Sequence, residues 1–235
     1  AMSIGAGETT LMRLVAAYAT VVNGGKQITP TLIDRIQDRH GMTTFRHDER
    51  PCETCRVGAW ADQPPPKLPD PRERLIQPGT AYQMVSMLKG VVDRGTGRRI
   101  GQLKLPLAGK TGTTNDSLDT WFIGFAPDLA VGVFVGFDTP RTLGRRETGS
   151  SVPAPIFKDF MAHALDGKPV IPFRVPPDIR LVRVNPETGL VALPGERATI
   201  LEAFKPGTAP LEFGSIVGED LGRGANTGGP RRGIY

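Results

Sequence analysis

Lys110-Thr111-Gly112-Thr113-Thr114 carries more chemistry than any other short segment of this chain. A cation, several hydroxyls and exposed backbone N–H groups converge there. That set suits a substrate carboxylate or a developing oxyanion. Gly112 removes a side chain where a ligand must come close to the backbone. On the edge of a sheet, the same segment would let an extended peptide add as a further strand. Two other readings compete. Gly109-Lys110-Thr111 matches the tail of the phosphate loop G-x-x-x-x-G-K-[ST], but position 104 is Lys where glycine is required, and the segment is followed by a strand pattern where a helix is required. The third reading is an ordinary polar turn, because K-T-G alone is a common tripeptide.

The elements around the segment must position it. Residues 8–23 have helical spacing, with Leu11, Leu14, Val15, Tyr18 and Val22 on one face and Asn23-Gly24-Gly25 as a stop. Residues 28–36 alternate loosely, as a strand would. Residues 38–76 are polar and contain Pro64-Pro65-Pro66, Pro69 and Pro71, which predicts a long excursion. Pro78 opens a second helix to Val92, with Ala81, Val85, Leu88 and Val92 buried. Residues 103–111 read as an extended edge segment, since Pro106 cannot donate to a ladder. Residues 119–126 and 129–137 form an antiparallel hairpin turned at Pro127-Asp128. In its second strand Val131, Val133, Val135 and Phe137 share one face. Gly132 and Gly136 share the other, where an element must pack closely. Asp116 and Asp119 cap the turn before the first of these strands. A third helix spans 154–165, with Ile156, Phe157, Phe160, Met161 and Leu165 on one side, and His163 on it is packed or exposed without a special role. After Pro169 a small hairpin is expected over 179–184 and 190–192, turned at Asn185–Gly189.

The chain has 235 residues, 39% hydrophobic, enough for a substantial core. Its net charge of +5 is modest and falls partly on Arg223, Arg231 and Arg232, so it does not argue for a nucleic-acid partner. No apolar run reaches the length of a membrane span.

Together these residues resemble a known family. GKTGTTNDSLDTWFIGFAPDLAVGVFVGFD (109–138) resembles the third signature region of the penicillin-binding transpeptidases, closest to the class A, bifunctional enzymes that build peptidoglycan. GAGETTLMRLVAAYATVVNGG (5–25) resembles the helix after the family's second signature. GTGRRIGQLKLPLAGKTGTT (95–114) resembles the approach to K-T-G, and 174–210 resembles the short extension of class A members. The resemblance implies an α+β fold, an antiparallel sheet flanked by helices, of which this chain holds the C-terminal portion over 1–172 with an insert at about 40–76. A small β extension over 173–213 and a disordered tail over 214–235 would follow. It implies a serine acyl-enzyme that cross-links stem peptides and is trapped by β-lactams, with no cofactor and no metal. The parent would be anchored in the inner membrane of a bacterium, with this part soluble on its periplasmic side, and would also carry glycosyltransferase activity. Lys110 would serve the site's electrostatics. Thr111 and Thr113 would hold the substrate carboxylate, with Gly112 and Thr114 alongside, the Thr113 N–H would be an oxyanion donor, and Trp121 would sit at the cleft mouth.

The chain departs from the family order S-x-x-K, S-x-N, K-T-G. Its literal S-x-x-K, Ser86-Met87-Leu88-Lys89, lies on the helix just before K-T-G and opposite that helix's apolar stripe, so it is read as a decoy. The nucleophile, its lysine and the second signature are expected upstream of Ala1, and the chain alone is expected to be inactive. A non-catalytic cell-wall peptide-binding or scaffold module is the alternative; a serine β-lactamase fits the 5–25 block and the extension poorly. The extracytoplasmic setting of the family implies a local disulfide between Cys52 and Cys55. Zinc with His40 and His47 would need a non-standard spacing. The last strand of the sheet would be left with a free, valine-rich edge, from which a homodimer, or a partner covering that edge, is expected.

Overall fold

The computed structural model describes residues 7–52, 55, 59, 61, 62, 64, 66 and 68–210. The expected tail at 214–235 lies outside them. Two compact units divide at Ile179/Arg180. Among the described residues no helix is long and apolar enough to cross a membrane.

The first unit is built on a three-stranded antiparallel sheet in the order β3-β4-β5: β3 is Ala108–Thr113, β4 Thr120–Ala126 and β5 Leu129–Val135. Register pairs Ala108 with Phe125, Gly112 with Trp121 and Ile123 with Gly132. Side chains of paired residues share a sheet face. One face therefore holds Ala108, Lys110, Gly112, Trp121, Ile123, Phe125, Gly132 and Phe134. The other holds Gly109, Thr111, Thr113, Phe122, Gly124, Val131 and Val133.

Helices cover both faces. Helix α1 (Leu11–Val22) starts at Thr10, whose hydroxyl accepts from Arg13 N, and lies on the first face. The expected close approach at Gly132 is α1 itself: a Cβ there would meet Val15 Cγ2 at 2.5 Å and Leu11 Cδ1 at 2.7 Å. Helix α2 (Pro78–Asp93) begins at a proline that needs no partner for its missing N–H. It buries Ala81, Val85, Leu88 and Val92, the stripe read from the sequence. Val85 and Leu88 pack with Ala108 and Phe125. Helix α4 (Pro153–Ala164) covers the second face, where Phe157 meets Phe122 at 4.8 Å between ring centroids. The short helix α3 (Arg98–Gly101) adds Ile100 to the same cluster.

Several expectations are corrected. The segment before K-T-G is no strand over 103–107. Lys104 takes a left-handed φ of 54° and Pro106 cannot donate, so β3 starts at Ala108 and runs through Thr113. β5 ends at Val135, and Phe137 beyond it lies under Arg141, 3.9 Å from the ring centroid. On α4 the buried positions are Pro153, Ala154, Phe157 and Met161, whereas Ile156 and Phe160 are half exposed. They sit on the flank of the stripe, one residue out of phase with the sheet-facing line.

Residues 28–34 do not form the expected strand. The excursion instead contains a two-stranded hairpin, β1 (Arg35–Gln37) with β2 (Thr43–Arg46), all of it exposed. The chain returns where Gln27 N donates to Glu73 O and both Leu75 N and Ile76 N donate to Gly25 O. Lys26 and Arg72 close this junction on Asp70, at 2.8 and 2.7 Å. Arg72 first, then Lys26, hold the Asp70 carboxyl well below the ordinary carboxylate range. Cys52 and Cys55 are joined by a disulfide.

In the second unit β6 (Arg180–Val184) pairs antiparallel with β7 (Ile200–Phe204). The Asn185–Gly189 turn forms, with Asn185 Oδ1 accepting from the N–H groups of Glu187 and Thr188. The stretch 190–192 gives only a bridge from Val191 to Val184, so the main partner of the first strand is β7 and not the expected 190–192.

Candidate active site

β3 lies at one edge of its sheet, and half of an edge strand's backbone groups point away from its neighbour. Lys110 is exposed on that strand, and its ammonium donates to the carbonyl of Thr111 at 2.7 Å. Among the described residues it has no acidic partner, which leaves its positive charge for a ligand.

Thr111 and Thr113 project from the same sheet face, two residues apart. Thr111 Oγ1 lies 3.0 Å from Thr96 Oγ1. Thr96 sits in the tight connection after α2, where Gly95 N and Gly97 N both donate to Val91 O. A side chain at Gly95 would be 2.9 Å from Val91 Cα, so glycine is what lets the connection pass so close to the helix end. Thr113 Oγ1 accepts from Gly149 N at 3.0 Å. A hydroxyl has one hydrogen to give and two lone pairs. Thr113 spends an acceptor site on Gly149 and keeps its hydrogen, which is what an incoming carboxylate needs. Gly112 between them faces the other side of the sheet, where a Cβ would lie 3.2 Å from Trp121 Cβ.

The other predicted residues take different places. Thr114 closes the turn into β4: its Oγ1 accepts from Asp119 N at 2.8 Å and its own N–H donates to Asp119 O at 3.0 Å. Its hydroxyl is thus engaged in the turn. Asp116 holds a left-handed φ of 58° in the 3₁₀ turn Asn115–Ser117, and the Asp119 carboxylate packs against Gly136. Trp121 lies on the opposite face from Thr111 and Thr113, packed against Phe134 with ring centroids 4.5 Å apart and planes tilted by 50°. Ser86 is half-buried on α2, and Lys89 pairs with Asp93 one turn on. His163 Nδ1 lies 2.8 Å from the Asp159 carbonyl, and His40 takes the Nε–H of Arg39. Among the described residues no group of His, Cys, Asp and Glu is arranged to hold a metal ion.

Two contributors escaped the reading of the sequence, Thr96 and Gly149. Thr96 is flanked by glycines, a cue to a tight connection that does not say what the threonine meets. Gly149 lies in Glu147-Thr148-Gly149-Ser150-Ser151, a small-residue run between hairpin and helix. Only the fold brings it 36 positions back to Thr113.

Comparison with known proteins bears on the family and the fold. The sequence profile of the Penicillin binding protein transpeptidase domain matches residues 1–162. The chain is 47% identical over 207 residues to penicillin-binding protein 1A of Rickettsia bellii, covering 87% of this chain and 26% of that protein. It is 37% identical to penicillin-binding protein 1A of Pseudomonas aeruginosa, covering 94% of this chain and 31% of that protein. The crystal structure of penicillin-binding protein 1A from Haemophilus influenzae superposes with a TM-score of 0.72 at 31% identity, over 90% of this chain and 34% of that one. The chain thus spans between a quarter and a third of the length of these relatives. With most of the chain matched in sequence and in fold, and the K-T-G strand at the sheet edge, the chain belongs to the penicillin-binding protein transpeptidase family.

Proposed function

We propose that this chain forms the Lys110–Thr113 wall of the cleft of a peptidoglycan D,D-transpeptidase. The observation that carries the reading is the pairing of two hydroxyls, Thr111 and Thr113, on one face of an edge strand whose other face carries the exposed Lys110, which has no acidic partner among the described residues. In the proposed reaction a serine attacks the carbonyl between the two terminal D-alanines of a stem peptide. The terminal D-alanine leaves as an amine, and the acyl-enzyme passes to an amine of a second stem. Thr111 and Thr113 donate to the terminal carboxylate. Lys110 stabilises the developing negative charge by its own positive charge, and the Thr113 N–H donates to the oxyanion. Penicillins present the same carboxylate next to a strained amide and are held by the same wall.

The nucleophile in this account is supplied by polypeptide beyond this chain, because Ser86 sits on α2 beside a lysine already paired with Asp93. The intact protein would work at the outer face of the cytoplasmic membrane, anchored in it, and would carry glycosyltransferase activity elsewhere. The outer edge of β5, which has no strand beside it among the described residues, would be covered by another strand of the intact protein or by a second copy. Elution of this chain as a monomer would remove the second-copy version.

The test is D-alanine release from a D-Ala-D-Ala-terminated pentapeptide by the intact protein. The reading expects turnover, and a loss on the order of 10²–10³-fold in Lys110→Ala, the scale of losing one stabiliser of transition-state charge. Peptide binding without any D-alanine release would favour a non-catalytic cell-wall module.

A further inference from the structure

Gly149, which meets Thr113, is hydrogen-bonded through both of its backbone polar groups. Gly149 is buried, and its N–H donates to Thr113 Oγ1 at 3.0 Å while its carbonyl accepts from Ala154 N at 3.2 Å, in the first turn of α4. Ala154 belongs to the buried cluster of Phe122 and Phe157. Thr113 is therefore linked to the core of the domain through one glycine.

The glycine is there for room. Its φ is not in the left-handed region, so conformation does not demand it. A Cβ at 149, however, would lie 2.6 Å from both Gly112 O and Trp121 O and 2.9 Å from Gly112 N. These are backbone atoms of paired strands, which cannot swing aside as a side-chain tip can. The turn around Gly149 is tied by its own hydroxyls: Thr148 N donates to Ser151 Oγ at 2.8 Å, and Ser151 Oγ donates to Glu147 Oε2 at 3.1 Å.

We propose that Gly149 is a positioning residue for ligand binding, set by the Glu147–Ser151 turn, and that it aims the Thr113 hydroxyl at the ligand carboxylate. This rests on the reading of Thr113 as a carboxylate donor. By filling one lone pair, the Gly149 N–H leaves Thr113 no reason to turn its hydrogen inward. A hydroxyl lacking that partner samples all three of its staggered rotamers and meets the carboxylate correctly oriented only part of the time.

The test compares second-order acylation of the intact protein by benzylpenicillin and by its methyl ester, which lacks the carboxylate charge. The readout is the ratio of the two rates, which a general loss of folded protein leaves unchanged. Thr113→Val, the reference, is expected to cut the ratio on the order of tenfold or more, the scale of one hydrogen bond to a charged group. Gly149→Ala and the milder Ser151→Ala are each expected to lower it severalfold, with the ester rate little changed. If Gly149→Ala does not fold, Ser151→Ala decides. A ratio unchanged in Ser151→Ala and in any folded Gly149→Ala, while Thr113→Val lowers it, would overturn the positioning role and leave the function standing. A ratio unchanged in Thr113→Val would overturn the carboxylate reading itself.

Discussion

Two sheets in the first unit follow the same hydrogen-bonding rules and differ in everything else. The β3-β4-β5 sheet buries Phe122, Phe125 and Ile123 to 2% exposure or less, between helices on both faces. The β1-β2 hairpin has no buried residue, and its apolar pair Ile36 and Phe45 is 47% and 44% exposed. A two-stranded hairpin without a covering layer is marginal by itself. The difference shows why the K-T-G strand can hold hydroxyls in place: its register is locked by two packed faces. The excursion is held by its junction at Gly25 and Asp70 rather than by a core.

The comparison breaks most easily at the aromatic pair on the second face. Phe122→Ala is expected to destabilise by about 3–5 kcal/mol, the usual range for a buried phenylalanine. Phe45→Ala in the hairpin is expected to stay within about 0.5 kcal/mol. Thermal unfolding of the two variants measures both; equal effects would end the distinction. The next effect sits at the junction. Gly25 has φ of 83°, and a Cβ there would fall 2.0 Å from the Ile76 carbonyl. Gly25→Ala is expected to cost roughly 1–3 kcal/mol, seen as earlier proteolysis within 28–74 than in the parent.

A smaller effect sharpens the same point through pH. The Asp70 carboxyl is depressed in the folded state, so its contribution is fully present above the unfolded carboxylate value of about 3.9 and is lost as pH falls through the folded value. Acidification below about pH 4 should loosen the excursion before the sheet, with pepsin cleaving first between 28 and 70. Asp70→Asn should remove this pH dependence. The smallest effect belongs to the sheet unit itself. Lys89→Ala breaks only an exposed pair with Asp93 and should cost about 0.5 kcal/mol or less, with acylation of the intact protein unaltered. A large loss of acylation there would return Ser86 and Lys89 to the list of catalytic groups.

What the sequence revealed of this molecule followed from local physics. The stripe of α2, the turn at Pro127-Asp128 and the need for a neighbour at Gly132 are set by spacing and side-chain volume, and the structure has them, whereas on α1 the predicted stripe is only half-buried and the buried residue is Thr20. K-T-G does lie on an edge strand, but Pro106, from which the edge was read, falls outside that strand, so its missing N–H is not what makes the edge. The misses needed tertiary information. Ile156 and Phe160 are apolar and helical in spacing, yet the sheet meets a line one residue away. The pairing of β6 with β7 crosses a stretch of turns that hides the second strand. The partners of the two threonine hydroxyls, Thr96 and Gly149, are separated from them by 15 and 36 positions, and no periodicity connects them.

The most direct measurement is intact mass after incubation with excess benzylpenicillin, run on this 235-residue chain and on the intact protein side by side. The account predicts no added mass on the chain alone and one penicillin on the intact protein. A covalent adduct on the chain alone would put a nucleophile within it and contradict the account, as would an intact protein that takes up no penicillin.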